Sequence, residues 1–223
     1  MFGLFKKKKP EPPSVSPLYD SLFGDVPLQH WKPVDDASAT GPWTTLEEVR
    51  AALRGKDKPR AQQLLRQLLA DTSLESRQHL QAWHFLRELG VQPGAAEAKQ
   101  VLGVVLEVAL EKGNDTLAAY RDYGARFISH SGKLIVRESR DPQLDAHIDQ
   151  LLSAAQRVAE KIGPWTEPRC APPSNGNVRL NLLTPSGLHF GEGPFKSLAR
   201  DPMAGPVITI GAKLIGALIG RAS

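Results

Sequence analysis

The sequence predicts an α+β fold: an N-terminal three-helix unit, then an antiparallel sheet (a meander plus a hairpin) packed with a long amphipathic helix and a C-terminal apolar helix. Three observations carry that expectation. Helical periodicity with start and stop signals runs through residues 44–94, β-branched runs separated by turn clusters begin at Val101, and the helical period returns between Asp141 and Gly163. The chain accordingly divides into an extended Pro-rich arm over 1–43, partly docked, a helical unit over 44–94 and an α+β domain over 95–223.

In the arm, Pro10, Pro12, Pro13, Pro17, Pro27, Pro33 and Pro42 deny any long helix. Leu18, Tyr19, Leu22, Phe23, Val26, Leu28, Trp31 and Trp43 are too many large apolar side chains for a solvated linker. Part of the arm should lie against the folded body or against a partner.

Thr45-Leu-Glu-Glu48 has the form of a capping box and starts a first helix that ends at Gly55. Asp57 caps the next, with Pro59 in its first turn, where a proline forfeits no hydrogen bond. Leu64, Leu65, Leu68 and Leu69 give it one apolar stripe. Thr72-Ser-Leu-Glu75 repeats the capping pattern and opens a third helix, with Leu80, Trp83, Leu86 and Leu89 facing inward before Gly90 and Pro93.

From Val101 to Leu110 the β-branched run predicts a central strand, with a turn at Gly113-Asn-Asp115. Strands at Thr116–Tyr120, Ala125–Ser129 and Lys133–Glu138 complete the meander around turns at Asp122-Tyr-Gly124 and His130-Ser-Gly132. Asp141-Pro142 starts a helix whose Leu144, Ile148, Leu151, Leu152, Ala155, Val158 and Ile162 keep the helical period. Residues 178–190 read as a hairpin. A three-residue loop, Pro185-Ser-Gly187, sets Leu180, Leu182, Leu188 and Phe190 on one face and Arg179, Asn181 and His189 on the other. The similarity of Phe127–Ile135 to Leu182–Phe190 follows from two hairpins built on one Ser-Gly turn chemistry. The last segment is apolar nearly all round (Val207, Ile208, Ile210, Leu214, Ile215, Leu218, Ile219), so as a helix it should be buried against the sheet.

Cys170 is the single cysteine, so neither a disulfide nor a cysteine zinc site is available within the chain, and a reducing, cytoplasmic location is expected. The net charge of +4 is spread along the chain: residues 1–43 hold five basic and five acidic side chains, and 101–163 hold eight and nine. With no concentrated basic field, nucleic acid is not the expected partner. Phe2, Leu4 and Phe5 precede Lys6–Lys9, the reverse of a secretory signal, so the N-terminus is read as unprocessed. The same stretch could touch an anionic membrane surface.

No motif identifies an enzyme active site. Cys170 lies in a proline-rich loop with Arg169 as its neighbouring cation, and a thiol nucleophile needs a base brought to it by the fold, for which His189 and His147 are the candidates. His79 and His84 are five apart, which turns them well off a common helix face, so no metal is expected. Leu188-His-Phe-Gly-Glu-Gly193 offers glycine amides beside His189 and Glu192, but Pro194 removes a donor and no helix with a phosphate-loop pattern follows. No cofactor is expected. The favoured reading is a non-enzymatic protein–protein interaction or adaptor module that uses Tyr19, Phe23 and Trp31 as anchors together with Arg179 and Asn181. The alternatives are a hydrolase or transferase with a site near Cys170, Asn181, His189 and Glu192, and a peripheral membrane protein that attaches through both termini.

Overall fold

The computed structural model describes residues 17–31 and 41–221. The basic stretch Lys6–Lys9 with Phe2, Leu4 and Phe5, and residues 32–40 of the arm, lie outside the described residues.

The chain runs through α1 (Pro17–Asp20), α2 (Pro42–Arg54), α3 (Lys58–Leu69), α4 (Ser76–Glu88), α5 (Ala95–Ala98), β1 (Gly103–Leu110), β2 (Gly113–Tyr120), β3 (Ala125–Ile128) and β4 (Leu134–Arg137). It continues through α6 (Pro142–Ala159), β5 (Asn177–Thr184), β6 (Gly187–Pro194), α7 (Phe195–Leu198) and α8 (Ala204–Arg221). The six strands form one antiparallel sheet in the order β4-β3-β2-β1-β5-β6, which confirms the α+β class.

One face of the sheet carries the largest core. Val104, Leu106, Leu117, Phe127, Leu180 and Leu182 project from it against Ile148, Leu151 and Ala155 of α6 and Val207, Ile208 and Leu214 of α8. Fully burying an aliphatic side chain of this kind stabilises by about 1.5–3 kcal/mol. The C-terminal helix is buried along one side only. Thr209, Ala212, Lys213 and Gly216 form its outer side, so small and polar residues separate the apolar ones on the solvent face. In length and composition α8 is able to cross a bilayer, but its apolar side is committed to α6 and the sheet.

The second face is covered by α4 and by the N-terminal segment. Tyr19, Leu22 and Phe23 of the segment pack with Leu80 of α4 on Val105, Ala118, Tyr120 and Leu183. Helix α4 also belongs to the helical unit: Ala82, Trp83, Phe85 and Leu86 join Leu46, Val49, Leu64, Leu65 and Leu68 in a separate core. Its start differs from the expected Thr72–Glu75 box. Gln78 Oε1 accepts the Glu75 N–H at 3.0 Å, and the Ser76 N–H is taken by Asp122 Oδ2 at 2.6 Å, from the turn between β2 and β3. The Ser76 hydroxyl in turn accepts the Asp122 N–H at 3.1 Å. The helix start thus combines a local Glu75–Gln78 contact with a cap from the sheet, and the second is what no local pattern could encode. Asp122→Ala is expected to lower unfolding free energy by about 1–2 kcal/mol in urea titration, and Asp122→Asn, which keeps an acceptor, by less; equal losses would show that the acceptor is not what matters.

Four local expectations are corrected. Helix α2 begins at Pro42 after Gly41, ahead of the Thr45 box, because a proline suits the first helical turn. Gly113-Asn-Asp115 opens β2, and the turn is Glu111-Lys112, since Leu110 pairs with Gly113. The 178–194 hairpin has a two-residue loop, Pro185-Ser186, with Thr184 opposite Gly187 (φ +123°) and Asn181 opposite Phe190. The β3–β4 hairpin spans five residues, 129–133, between Ile128 and Leu134, so the two hairpins do not share one turn.

Candidate functional site

The shorter loop changes which residues meet. Arg179 now lies opposite Glu192 and Glu107, while His189 lies opposite Leu182 on the other face. Arg179 donates to Glu192 Oε2 from Nε at 2.8 Å and from Nη2 at 2.5 Å, a fork-to-carboxylate contact that a three-residue loop would have lost by setting Arg179 against Gly193. Arg179 and Asn181 are therefore not joined by His189, and the single polar face expected of this hairpin does not exist. His189 sits beside Ser186, 3.1 Å from Nε2 to Oγ. Burial pushes its imidazole below the ordinary value, Lys99 adds to this, and the Ile162 carbonyl opposes it. Cys170 is on the Arg179 side, where its carbonyl accepts from Arg179 Nη1 at 3.3 Å. The sheet separates Cys170 from His189, so a thiol–imidazole pair is not assembled. His147 is half-buried on α6, its Nδ1 2.8 Å from the Gln143 carbonyl oxygen.

What the second face holds instead is a buried polar row. Glu107, completely buried in the middle of β1, accepts from the Tyr19 hydroxyl at 2.5 Å and from Asn181 Nδ2 at 2.8 Å. Asn181 Nδ2 also donates to the Val105 carbonyl at 3.0 Å, and Arg179 Nη1 is 3.7 Å from Glu107 Oε2. Burial first, and then the charge of Glu107, push the Tyr19 phenol far above its ordinary value. Tyr19 is a donor fixed in that role.

The Tyr19 contact belongs to a docking device that captures backbone and side-chain groups between Tyr19 and Trp31. Tyr120 donates to the Leu22 carbonyl at 2.7 Å, and the Gln81 amide exchanges two hydrogen bonds with Val26, at 3.0 and 2.7 Å. Arg50 donates to the Leu28 and Trp31 carbonyls. Arg169 pairs with Asp20 at 2.9 Å and Asp25 at 3.1 Å, and its guanidinium lies 4.0 Å from the Phe23 ring centroid. Burial acts against the charge on Arg169, but Asp25 and Asp20 outweigh it and hold the group above its ordinary value. Tyr19, Phe23 and Trp31, expected as anchors for a partner, are here buried within the chain itself. Sequence reasoning missed Glu107, Arg169, Gln81 and Tyr120. One signal was visible: Glu107 is the lone charge inside an otherwise apolar strand, and such a charge requires partners.

Open surfaces among the described residues include a groove of about 1040 Å³ beside the docked segment, lined by Trp31, Trp43, Arg77 and Arg126, and two further features. The first is a cleft of about 770 Å³ between the helical unit and the end of the sheet, reached from Arg66, His79, Trp83, Leu102 and Arg121. The second is the edge of β4. Leu134 and Val136 are 42% and 46% exposed there, on the same face as their cross-strand neighbours Ile128 and Arg126. The Ser129 N–H donates to the Lys133 carbonyl at 2.9 Å, which makes 133, 135 and 137 the residues bonded to β3. By antiparallel alternation, Leu134 and Val136 turn their N–H and C=O groups outward. Among the described residues no strand pairs with that edge. No group of three or more His, Cys, Asp or Glu side chains placed to hold a metal occurs among the described residues.

Comparison of the chain with protein-family models, with curated proteins and with solved structures finds no match.

Proposed function

We propose that this chain is a non-enzymatic protein–protein interaction module whose recognition element is the open edge of β4, which takes an extended segment of a partner protein as a seventh strand. The observation that carries this reading is a strand edge that no described strand pairs, with two exposed branched side chains, Leu134 and Val136, beside outward-facing backbone groups. Edges of this kind are ordinarily blunted by charge, proline or a bulge, because they template pairing with another chain. Main-chain hydrogen bonds would supply affinity and the alternating side chains selectivity.

A partner other than a second copy is favoured by charge. Twofold pairing of β4 with itself that matches Leu134 to Val136 sets Lys133 against Arg137, and like charges directly opposite one another destabilise a pair. A different strand carries no such restriction.

Val136→Pro tests the edge selectively, since the Val136 N–H is not in the β3–β4 ladder and a proline there removes an outward donor. With a photo-crosslinking residue in place of Leu134 in the full chain, exposed to extract of the source cells, the expected crosslinks map to an extended segment of one protein. Val136→Pro is expected to reduce that capture about tenfold at unchanged melting temperature. Equal capture by the proline variant, or crosslinks only between copies of this chain, would refute the reading.

A further inference from the structure

The cleft at the end of the sheet is a separate feature, which shares no lining residue with β4, and its walls are distinctive in how their charges are committed. Two acids line it. Glu97 Oε1 accepts the Gly94 N–H at 3.2 Å, and Asp122 accepts the Gly124 N–H at 2.9 Å and the Ser76 N–H at 2.6 Å. Both carboxylates are therefore occupied by backbone amides. Two guanidinium groups also line it, Arg66 from α3 and Arg121 from the turn after β2, and both residues are exposed. Among the described residues neither side chain makes a hydrogen bond or an ion pair.

Between these cations the walls are apolar: Leu69, Leu74, Trp83, Val91 and Leu102 contribute, with Leu74, Trp83 and Leu102 each 8% exposed. His79 adds an imidazole that burial holds below its ordinary value, against the Leu69 carbonyl, Glu97 and Asp71. It is uncharged at neutral pH and leaves the two arginines as the cationic groups that lack an internal partner. The volume falls within the range of sites that enclose small organic ligands, which pair apolar walls with a few convergent polar groups.

We infer that this cleft binds a small organic anion with an apolar body, the anionic group held by Arg66 and Arg121 and the body lying against Trp83 and the neighbouring leucines. Guanidinium forks suit carboxylate, sulfonate and phosphate groups alike, and the aromatic and aliphatic wall selects against small inorganic ions.

The experiment uses the full chain and 8-anilinonaphthalene-1-sulfonate, an apolar anion whose fluorescence reports its transfer from water. Saturable binding with one site per chain is expected. Arg66→Ala and Arg121→Ala should each weaken it about tenfold, as expected for loss of one charge-assisted hydrogen bond. Arg66→Lys and Arg121→Lys, which keep the charge, should recover part of that loss. The neutral analogue N-phenyl-1-naphthylamine should bind at least about tenfold more weakly than the sulfonate. Circular dichroism of each variant fixes the folded fraction. Unchanged affinity in a folded Arg66→Ala/Arg121→Ala double variant, or equal affinity for the neutral probe, overturns the assignment.

Discussion

Replacing Glu107 by alanine is expected to lower the unfolding free energy by about 3 kcal/mol, one of the largest effects of any single polar substitution in this chain. The loss has three sources on the same face of the sheet. The buried Tyr19 hydroxyl is left without its acceptor, Asn181 Nδ2 keeps only the Val105 carbonyl, and Arg179 keeps Glu192 but loses the charge on its inner side. A double-mutant cycle isolates the first of these. Tyr19→Phe alone should cost about 1–2 kcal/mol, because it strips a buried carboxylate of a donor, and close to nothing in the Glu107→Ala background. Urea unfolding of the four proteins measures the coupling. Additive losses would mean that the Tyr19–Glu107 hydrogen bond does not hold the segment to the sheet.

Gly24→Ala is expected to dislodge the same segment by a different route, at a cost of about 2–3 kcal/mol. Gly24 has φ +63°, a conformation that an alanine adopts only with strain. A methyl group there would also stand 2.6 Å from the Leu80 Cβ and 3.1 Å from the Arg77 carbonyl oxygen, both fixed to α4, so the segment and not the helix must give way. Gly90→Ala is the control: φ is +79°, yet the nearest atom to the added methyl is the flexible Lys58 Nζ at 3.9 Å, so strain alone remains, about 1 kcal/mol. Tyr19, Phe23 and Trp31 are buried chymotrypsin sites in the docked segment, and their cleavage should accelerate in Gly24→Ala but not in Gly90→Ala. Equal stability and equal cleavage in the two variants would remove the contact with α4 from the account.

These two substitutions act on residues that differ in how far the sequence exposes them. The apolar content of 17–31 already requires burial somewhere, and Tyr19, Phe23 and Trp31 stand out in it. What the residues meet is another matter: Glu107, Gln81, Tyr120 and Arg169 are 55 to 149 positions away from the segment residues they hold, and no spacing rule links them. The candidate site residues divide the same way. Arg179, Asn181 and Glu192 are prominent as polar residues in a hairpin. Their grouping with Glu107, and the exclusion of His189 from that group, depend on a register that differs from the expected one by a single residue.

Side-chain period and chain punctuation are enough to set the class and order of the elements: three helices with local stop signals, a β-branched meander, the amphipathic α6 and the apolar α8. Those signals are local, carried by side-chain period, proline and glycine, and they survive whatever the rest of the chain does. The sheet-side cap of α4, the loop of the last hairpin and the residue set of each sheet face are set by contacts between distant parts of the chain. A strand's side chains alternate with period two, so one residue of register exchanges its faces completely. Here the choice falls to contacts across the chain, in which Arg179 meets Glu192 and Glu107 while Leu180 and Leu182 meet α6 and α8.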